Sequence, residues 1–252
     1  MARAAIPGGL KVRRTWRPAT LVDRRTESPS ASTLVLEVEG WAGHLPGQHI
    51  DVRLTAEDGY QTSRNYSLAA PGVDGRLEIT VQRTAGGEVS PFLADDLAPG
   101  DNVEVRGPLG GWFVWRPDQV GPVLLVAGGS GVVPLMAMVR ARAGVSRAPF
   151  RLVYSVRGPE DRIYASELRR RAQEDGGLDV AYLYTRTAPE DDPRPAGRIL
   201  AADLVAHGWP PEFEPTCYVC GPTPFVETVA GLLVAQGHPP ERIRTERFGS
   251  AS

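Results

Sequence analysis

Two spacings of apolar residues divide this chain. Over residues 12–117 the apolar positions recur with a period near two, in short runs separated by turn residues: Ser32 to Glu39, Gln48 to Thr55, Ser63 to Ala69, Arg76 to Thr84 and Asn102 to Gly107. The run Arg76-Leu77-Glu78-Ile79-Thr80-Val81-Gln82 alternates cleanly and predicts a half-buried antiparallel strand, whereas Thr33 to Val38 alternates imperfectly. With one more strand after Lys11, six strands are predicted, a number suited to a small closed antiparallel β-barrel.

From Val123 onward the pattern becomes strand, helix, strand. Strands are predicted at Val123 to Ala127, Arg151 to Val156, Val180 to Tyr184, Cys217 to Cys220 and Arg242 to Arg247. Helices are predicted between them, at Pro134 to Arg142, Ala165 to Glu174, Ile199 to Ala206 and Pro224 to Gln236. That order implies an α/β doubly wound parallel sheet. The chain therefore reads as two domains, 12–117 and 121–250, meeting near Arg116 to Gly121. The acid- and proline-rich loop Ala188 to Ala196 is the one whose composition suits disorder.

Composition narrows the chemistry. With 28 Lys+Arg against 30 Asp+Glu the net charge is -2, which gives no global attraction for nucleic acid or anionic lipid. Two Cys and four His cannot build a disulfide framework or a four-thiolate iron–sulfur site, so no metal site is expected and any iron–sulfur electron carrier belongs to another protein. No long apolar run precedes Lys11, Arg13 and Arg14, so no secretory signal and a cytoplasmic protein are expected. The uncharged stretch Gly121 to Val139 has the length of a membrane span, but its glycines and Pro134 read better as buried strand, turn and helix.

Several short motifs suit ligands. Arg64-Asn65-Tyr66-Ser67 offers a cation, an aromatic ring and hydrogen-bonding groups in one strand, although alternation sends Arg64 and Tyr66 to one face and Asn65 and Ser67 to the other. Gly86-Gly87-Glu88-Val89-Ser90-Pro91 predicts a loop and a short helix through Asp96, with Ser90 as N-cap, whose free N–H groups suit a phosphate. An apolar strand running into Gly128-Gly129-Ser130-Gly131 and then a helix suits a dinucleotide pyrophosphate. The second and third strands of that half end in Ser155-Val156-Arg157 and Thr185-Arg186 without an immediate acid, which favours a 2′-phosphate over a free ribose hydroxyl. Cys217 and Cys220 alternate in a strand and so face opposite ways, unlike a redox pair at a helix start.

Arg64 to Ser67, then Gly128 to Pro134, then Cys220-Gly221-Pro222, in this order, resemble the ferredoxin-NADP reductase superfamily over nearly the whole chain, about Val12 to Phe248. The resemblance implies that Arg64 meets the flavin pyrophosphate, Tyr66 the isoalloxazine and ribityl, and Ser67 the neighbourhood of flavin N5, with Val81, Gln82 and Arg83 lining the flavin. Gly87, Val89 and Ser90 would hold the FAD phosphates, and Gly129, Ser130, Gly131 and Pro134 the nicotinamide dinucleotide. Ser155, Arg157, Thr185 and Arg186 would form the 2′-phosphate pocket, the last two resembling the Ser-Arg pair of plant-type NADPH enzymes. Cys220, Gly221 and Pro222 would border the nicotinamide, Glu246 would serve a proton relay, and Phe248 would cover one flavin face. Ser67, Cys220 and Glu246 are the implied catalytic residues.

The implied activity is an FAD-dependent NAD(P)H oxidoreductase that takes hydride from NADPH, favoured over NADH, and passes electrons to a separate acceptor: a ferredoxin, an oxygenase component or a small molecule. Three alternatives stay open: a reductase of free flavin, against which the loop at Gly86 to Ser90 counts; an NADPH-dependent enzyme without flavin, which leaves the Arg64 to Ser67 motif unexplained; and a non-catalytic FAD-binding docking subunit.

Overall fold

β1 (Arg17–Ser28) and β2 (Ala31–Glu37) open the first domain as an antiparallel hairpin, and β3 (His49–Thr55), β4 (Gln61–Ser67), β5 (Arg76–Gln82) and β6 (Asn102–Leu109) complete an antiparallel sheet in the order β4-β3-β6-β1-β2-β5. The structure, a computed structural model, describes residues 15–249 apart from 73 and 85; the expected domain limits at Val12 and Ser250, and the leader reading of Met1 to Lys11, fall outside the described residues. The two edge strands meet where the chain leaves β4. Leu68 bridges Ile79 and the Ala69 N–H donates to the Glu78 carbonyl at 2.8 Å, closing the barrel. Leu21, Leu34, Leu36, Ile50, Val52 and Leu77 are among the apolar side chains that fill it.

The second domain has β7 (Val123–Gly128), β8 (Phe150–Val156), β9 (Leu178–Tyr184), β10 (Thr216–Pro222) and β11 (Ile243–Phe248), all parallel, in the order β11-β10-β7-β8-β9. β7 is buried at all six residues, which explains its uninterrupted apolar run. α2 (Val132–Arg142) and α3 (Ala165–Glu174) pack on one face, while α4 (Ala201–His207) and α5 (Thr223–Ala235) pack on the other. Strand order reverses between β7 and β10, and the crevice at their carboxyl ends is where such sheets take ligands. Cys217 lies in one core face and Cys220 in the other, both as free thiols.

Three features depart from the reading of the sequence. α2 is buried almost all round because it lies between the parallel sheet and the barrel. The alternation of β5 is real, with Leu77, Ile79 and Val81 in the barrel core, but Thr80 on its polar face is also buried. That face looks into the second domain rather than water. The loop expected to be disordered is instead held by Arg194, whose guanidinium grips Asp203 and donates to the Gly197 and Arg198 carbonyls.

The connection between domains is also anchored. Trp115 is fully buried edge-on against Phe150, and Tyr218 donates its hydroxyl to the Val114 carbonyl at 2.9 Å. Among the described residues no helix is long and apolar enough to cross a membrane, and no group of three or more His, Cys, Asp or Glu is placed to hold a metal ion.

Candidate functional site

A cleft of 550 Å³ lies in the gap between β4 and β5 and is roofed by the second domain. Arg64, Asn65, Tyr66 and Ser67 all reach it, although strand alternation separates them, because β4 turns its open edge toward the gap. Ser67 Oγ is buried there without a hydrogen-bond partner. An orphaned hydroxyl of this kind costs about 1–3 kcal/mol, so the cleft is built for a ligand with a polar edge. Burial pushes the Tyr66 phenol up to about 12, keeping it protonated and able to donate. Arg64 is exposed and donates to the Ser63 carbonyl at 2.8 Å, which leaves its cation overhanging the rim.

Gly87, Val89 and Ser90 line one end of the same cleft, with Glu88. Ser90 is not the N-cap. The short helix α1 (Val89–Pro91) starts after Glu88, widens into a π-turn over Phe92–Asp96, and Ser90 Oγ instead accepts the Thr84 N–H at 3.1 Å, drawing the loop closed. Of the expected trio on β5 only Gln82 lines the cleft. The Val81 side chain belongs to the barrel core, and Arg83 turns away to pair with Asp95.

A second cleft of 250 Å³ sits at the switch point, walled by Gly128, Gly129, Ser130, Ser155, Val156, Arg157, Asp161, Thr185, Pro222 and Phe225. Gln82 of the barrel and Ser130 of the glycine loop line both clefts, so the two adjoin at these side chains. Gly129 adopts φ +55, the left-handed region. Gly131 does not line the cleft. A Cβ there would strike the Cys220 carbonyl and lie 2.7 Å from the Gly221 nitrogen, so this glycine lets the loop pack onto β10. Pro134 is buried in the first turn of α2, where it needs no N–H partner, and does not touch either cleft. Gly221 lies against Gly128 and Phe225 behind the wall, and Arg186 is exposed outside it, its N–H donating to the Arg157 carbonyl at 3.0 Å.

Cys220, expected beside the nicotinamide, is fully buried and lines neither cleft, and burial followed by the nearby Glu246 charge pushes its thiol well up, so it stays neutral. Glu246 is its register partner on β11, with one carboxylate oxygen 3.5 Å from His49 Nδ1 and the other buried without a partner. His49 in turn pairs in register with Ser67. Phe248, Arg247 and Gly249 close the cleft from the β11 side.

Reading the sequence missed His49, Thr80, Asp161, Arg247 and Phe225. Thr80 was accessible, since it shares the face of Gln82 two residues on. Asp161 was partly accessible, since it follows Arg157 by four residues in the turn Pro159–Asp161. A single histidine in a strand and an aromatic in a helix's first turn carry no signal of their own.

Residues 18–114 match the oxidoreductase FAD-binding domain, and residues 125–231 match the oxidoreductase NAD-binding domain. The chain belongs to the ferredoxin-NADP reductase superfamily. This superfamily member is similar to a flavohemoprotein of Pseudomonas aeruginosa, 30% identical over all of the present chain and 63% of the relative. It is also similar to the reductase component of propane 2-monooxygenase from Rhodococcus jostii, 28% identical over 81% of the chain and 55% of the relative. It therefore spans between half and two thirds of the length of these relatives. Among solved structures, the flavohem-like FAD/NAD binding domain of nitric oxide dioxygenase from Vibrio cholerae superposes with a TM-score of 0.82 at 26% identity, covering 93% of this chain and 99% of that one.

Proposed function

We propose that this oxidoreductase binds FAD in the 550 Å³ cleft and NADPH in the adjoining one, and passes electrons from the nucleotide to a separate acceptor protein of the oxygenase-component kind. The observation that carries the reading is that the two clefts adjoin at Gln82 and Ser130, which places a ligand in one beside a ligand in the other. Bound FAD supplies an acceptor of two electrons that can release them one at a time.

The chain's own groups do the rest. The unpartnered Ser67 hydroxyl holds the polar edge of the ring, and Tyr66 and Phe248 pack against its apolar body and exclude water. Arg64 and the loop at Gly87 to Ser90 meet the phosphates. Glu246 and His49, 3.5 Å apart, offer a proton route near Ser67, while the fully buried Cys220 lines neither cleft and supports the wall through β10.

Ser155, Arg157 and Thr185 favour the 2′-phosphate of NADPH, and Asp161 is the one acid that opposes it. Anaerobic reduction of the FAD-loaded protein by each nucleotide tests this. NADPH is expected to be preferred, and Arg157→Ala to erode that preference about tenfold or more, as loss of a charge-assisted hydrogen bond does. An unchanged ratio in Arg157→Ala would overturn the NADPH assignment.

A further inference from the structure

The polar face of β5 presents Glu78, Thr80 and Gln82 in succession to the second domain, and each has a different task. Glu78 meets Arg140 of α2 at 3.1 Å, and the same guanidinium donates to the Ala69 carbonyl at 3.0 Å and to Glu167 of α3. Thr80 meets the hydroxyl of Tyr164 across the seam. Gln82 stands where the two clefts join.

The hydroxyl contact belongs to a directed chain. Thr33 donates to Glu27 at 2.7 Å, which commits its proton. The Thr80 hydroxyl, 2.7 Å away, therefore donates to Thr33, and Tyr164 donates to Thr80. With one acceptor supplied by Thr80 and the Arg140 guanidinium 4.9 Å over its ring, Tyr164 is held from both sides.

Tyr164 is also unusual in its own backbone. It is a non-glycine residue at φ +61, immediately before α3, and it ends the turn that carries Arg157 and Asp161 into the nucleotide cleft. Such a conformation persists only where the surroundings over-determine it. Thr80, its partner, lines the 550 Å³ cleft. One hydroxyl contact thus ties the nucleotide-facing turn to the wall of the other cleft.

We infer that Tyr164, supported by Arg140, is a positioning residue that sets the nucleotide's reacting end against the flavin by locking the 157–164 turn to β5. The inference rests on the reductase reading above. Its reach is considerable because misplacing reacting groups by about 1 Å costs roughly a hundredfold in rate.

Tyr164→Phe removes the hydroxyl alone and keeps the ring under Arg140. At saturating NADPH the limiting rate of flavin reduction is expected to fall about tenfold, with nucleotide affinity nearly unchanged and the long-wavelength charge-transfer absorbance of the complex diminished. Amide hydrogen exchange in residues 157–164 of the FAD-free protein is expected to quicken. Faster exchange with an unchanged limiting rate and charge-transfer band would mean a merely structural contact and would overturn the inference, as would no change in any readout. Should Tyr164→Phe lose its fold or its FAD, Arg140→Lys is read in the same way, and loss of fold in both would assign the seam to stability alone and overturn it too. A wild-type protein that neither nucleotide reduces would instead contradict the reductase reading, while the exchange measurement would still report on the seam.

Discussion

Gly131→Ala is the sharpest single perturbation of the crevice. Gly131 has φ -58, so alanine meets no backbone strain there, and the whole effect is steric. Its Cβ would lie 2.7 Å from the Gly221 nitrogen, and relaxing that to about 3.5 Å requires the glycine loop and β10 to separate by roughly 0.8 Å. The clash with the Cys220 carbonyl demands still more. Both neighbours are backbone atoms of β10, which is hydrogen-bonded to β7 on one side and β11 on the other, so no side-chain rotation relieves them. Overpacking of this kind costs about 1–3 kcal/mol, and for a chain of this size each kcal/mol lowers Tm by roughly 2–4 °C. A shift approaching 1 Å at the crevice should slow flavin reduction by up to about a hundredfold. The contrasting change is Gly231→Ala in α5, which meets nothing within 4 Å and should stabilise by about 1 kcal/mol through helix propensity. Thermal unfolding and anaerobic stopped-flow reduction read both variants. A Gly131→Ala protein with wild-type Tm and wild-type rate would refute the close approach of the loop to β10.

Three further outcomes are expected. Ser67→Ala should leave the FAD-free protein as stable as wild type or more so, since it deletes a buried hydroxyl that has no partner, while slowing flavin reduction about ten- to a hundredfold; a loss of Tm in the FAD-free form would show that the hydroxyl is already bonded. Burial works to raise the Glu167 carboxyl, but hydrogen bonds and charges from Arg140 and Arg171 outweigh it and hold it below the usual range, so its stabilisation is present above about pH 4.3 and is lost as pH falls through the depressed folded value; Glu167→Gln should flatten that acid limb in pH-dependent unfolding, and an unaltered limb would contradict the assignment. Burial pushes Cys217 up to about 12 and Cys220 well up, so iodoacetamide at pH 8 should label neither in the native protein and both in denaturant, and mass spectrometry showing native labelling of either would contradict their burial.

The period of two along β5 and the apolar run of β7 made both domains legible in the sequence, because each strand's spacing states which faces are covered. What covers a face is not in the spacing. Thr80 reads as a solvent-facing residue until Tyr164, 84 positions away, is brought onto it. Tyr66, Ser67, Gly129 and Ser130 were marked by the resemblance of their motifs to the superfamily and do line the clefts, whereas Gly131 and Pro134, in the same motif as Gly129 and Ser130, serve packing instead. Ser90 shows the limit of capping rules: a serine before proline reads as an N-cap, but closing the loop onto the Thr84 N–H moved the helix start two residues earlier. The loop around Arg194 was misread for a related reason, since composition counts its acids and prolines but not the Asp203 partner that secures it.

The proposed function requires one bound flavin to sit against one bound nicotinamide dinucleotide across the junction at Gln82 and Ser130. Anaerobic mixing of the FAD-loaded protein with NADPH, followed through the flavin's visible absorbance, tests it most directly. One FAD per chain, rapid bleaching with NADPH and an accompanying charge-transfer band are expected. A protein that takes up no FAD, or one that holds FAD and remains oxidised with both NADPH and NADH, would contradict it.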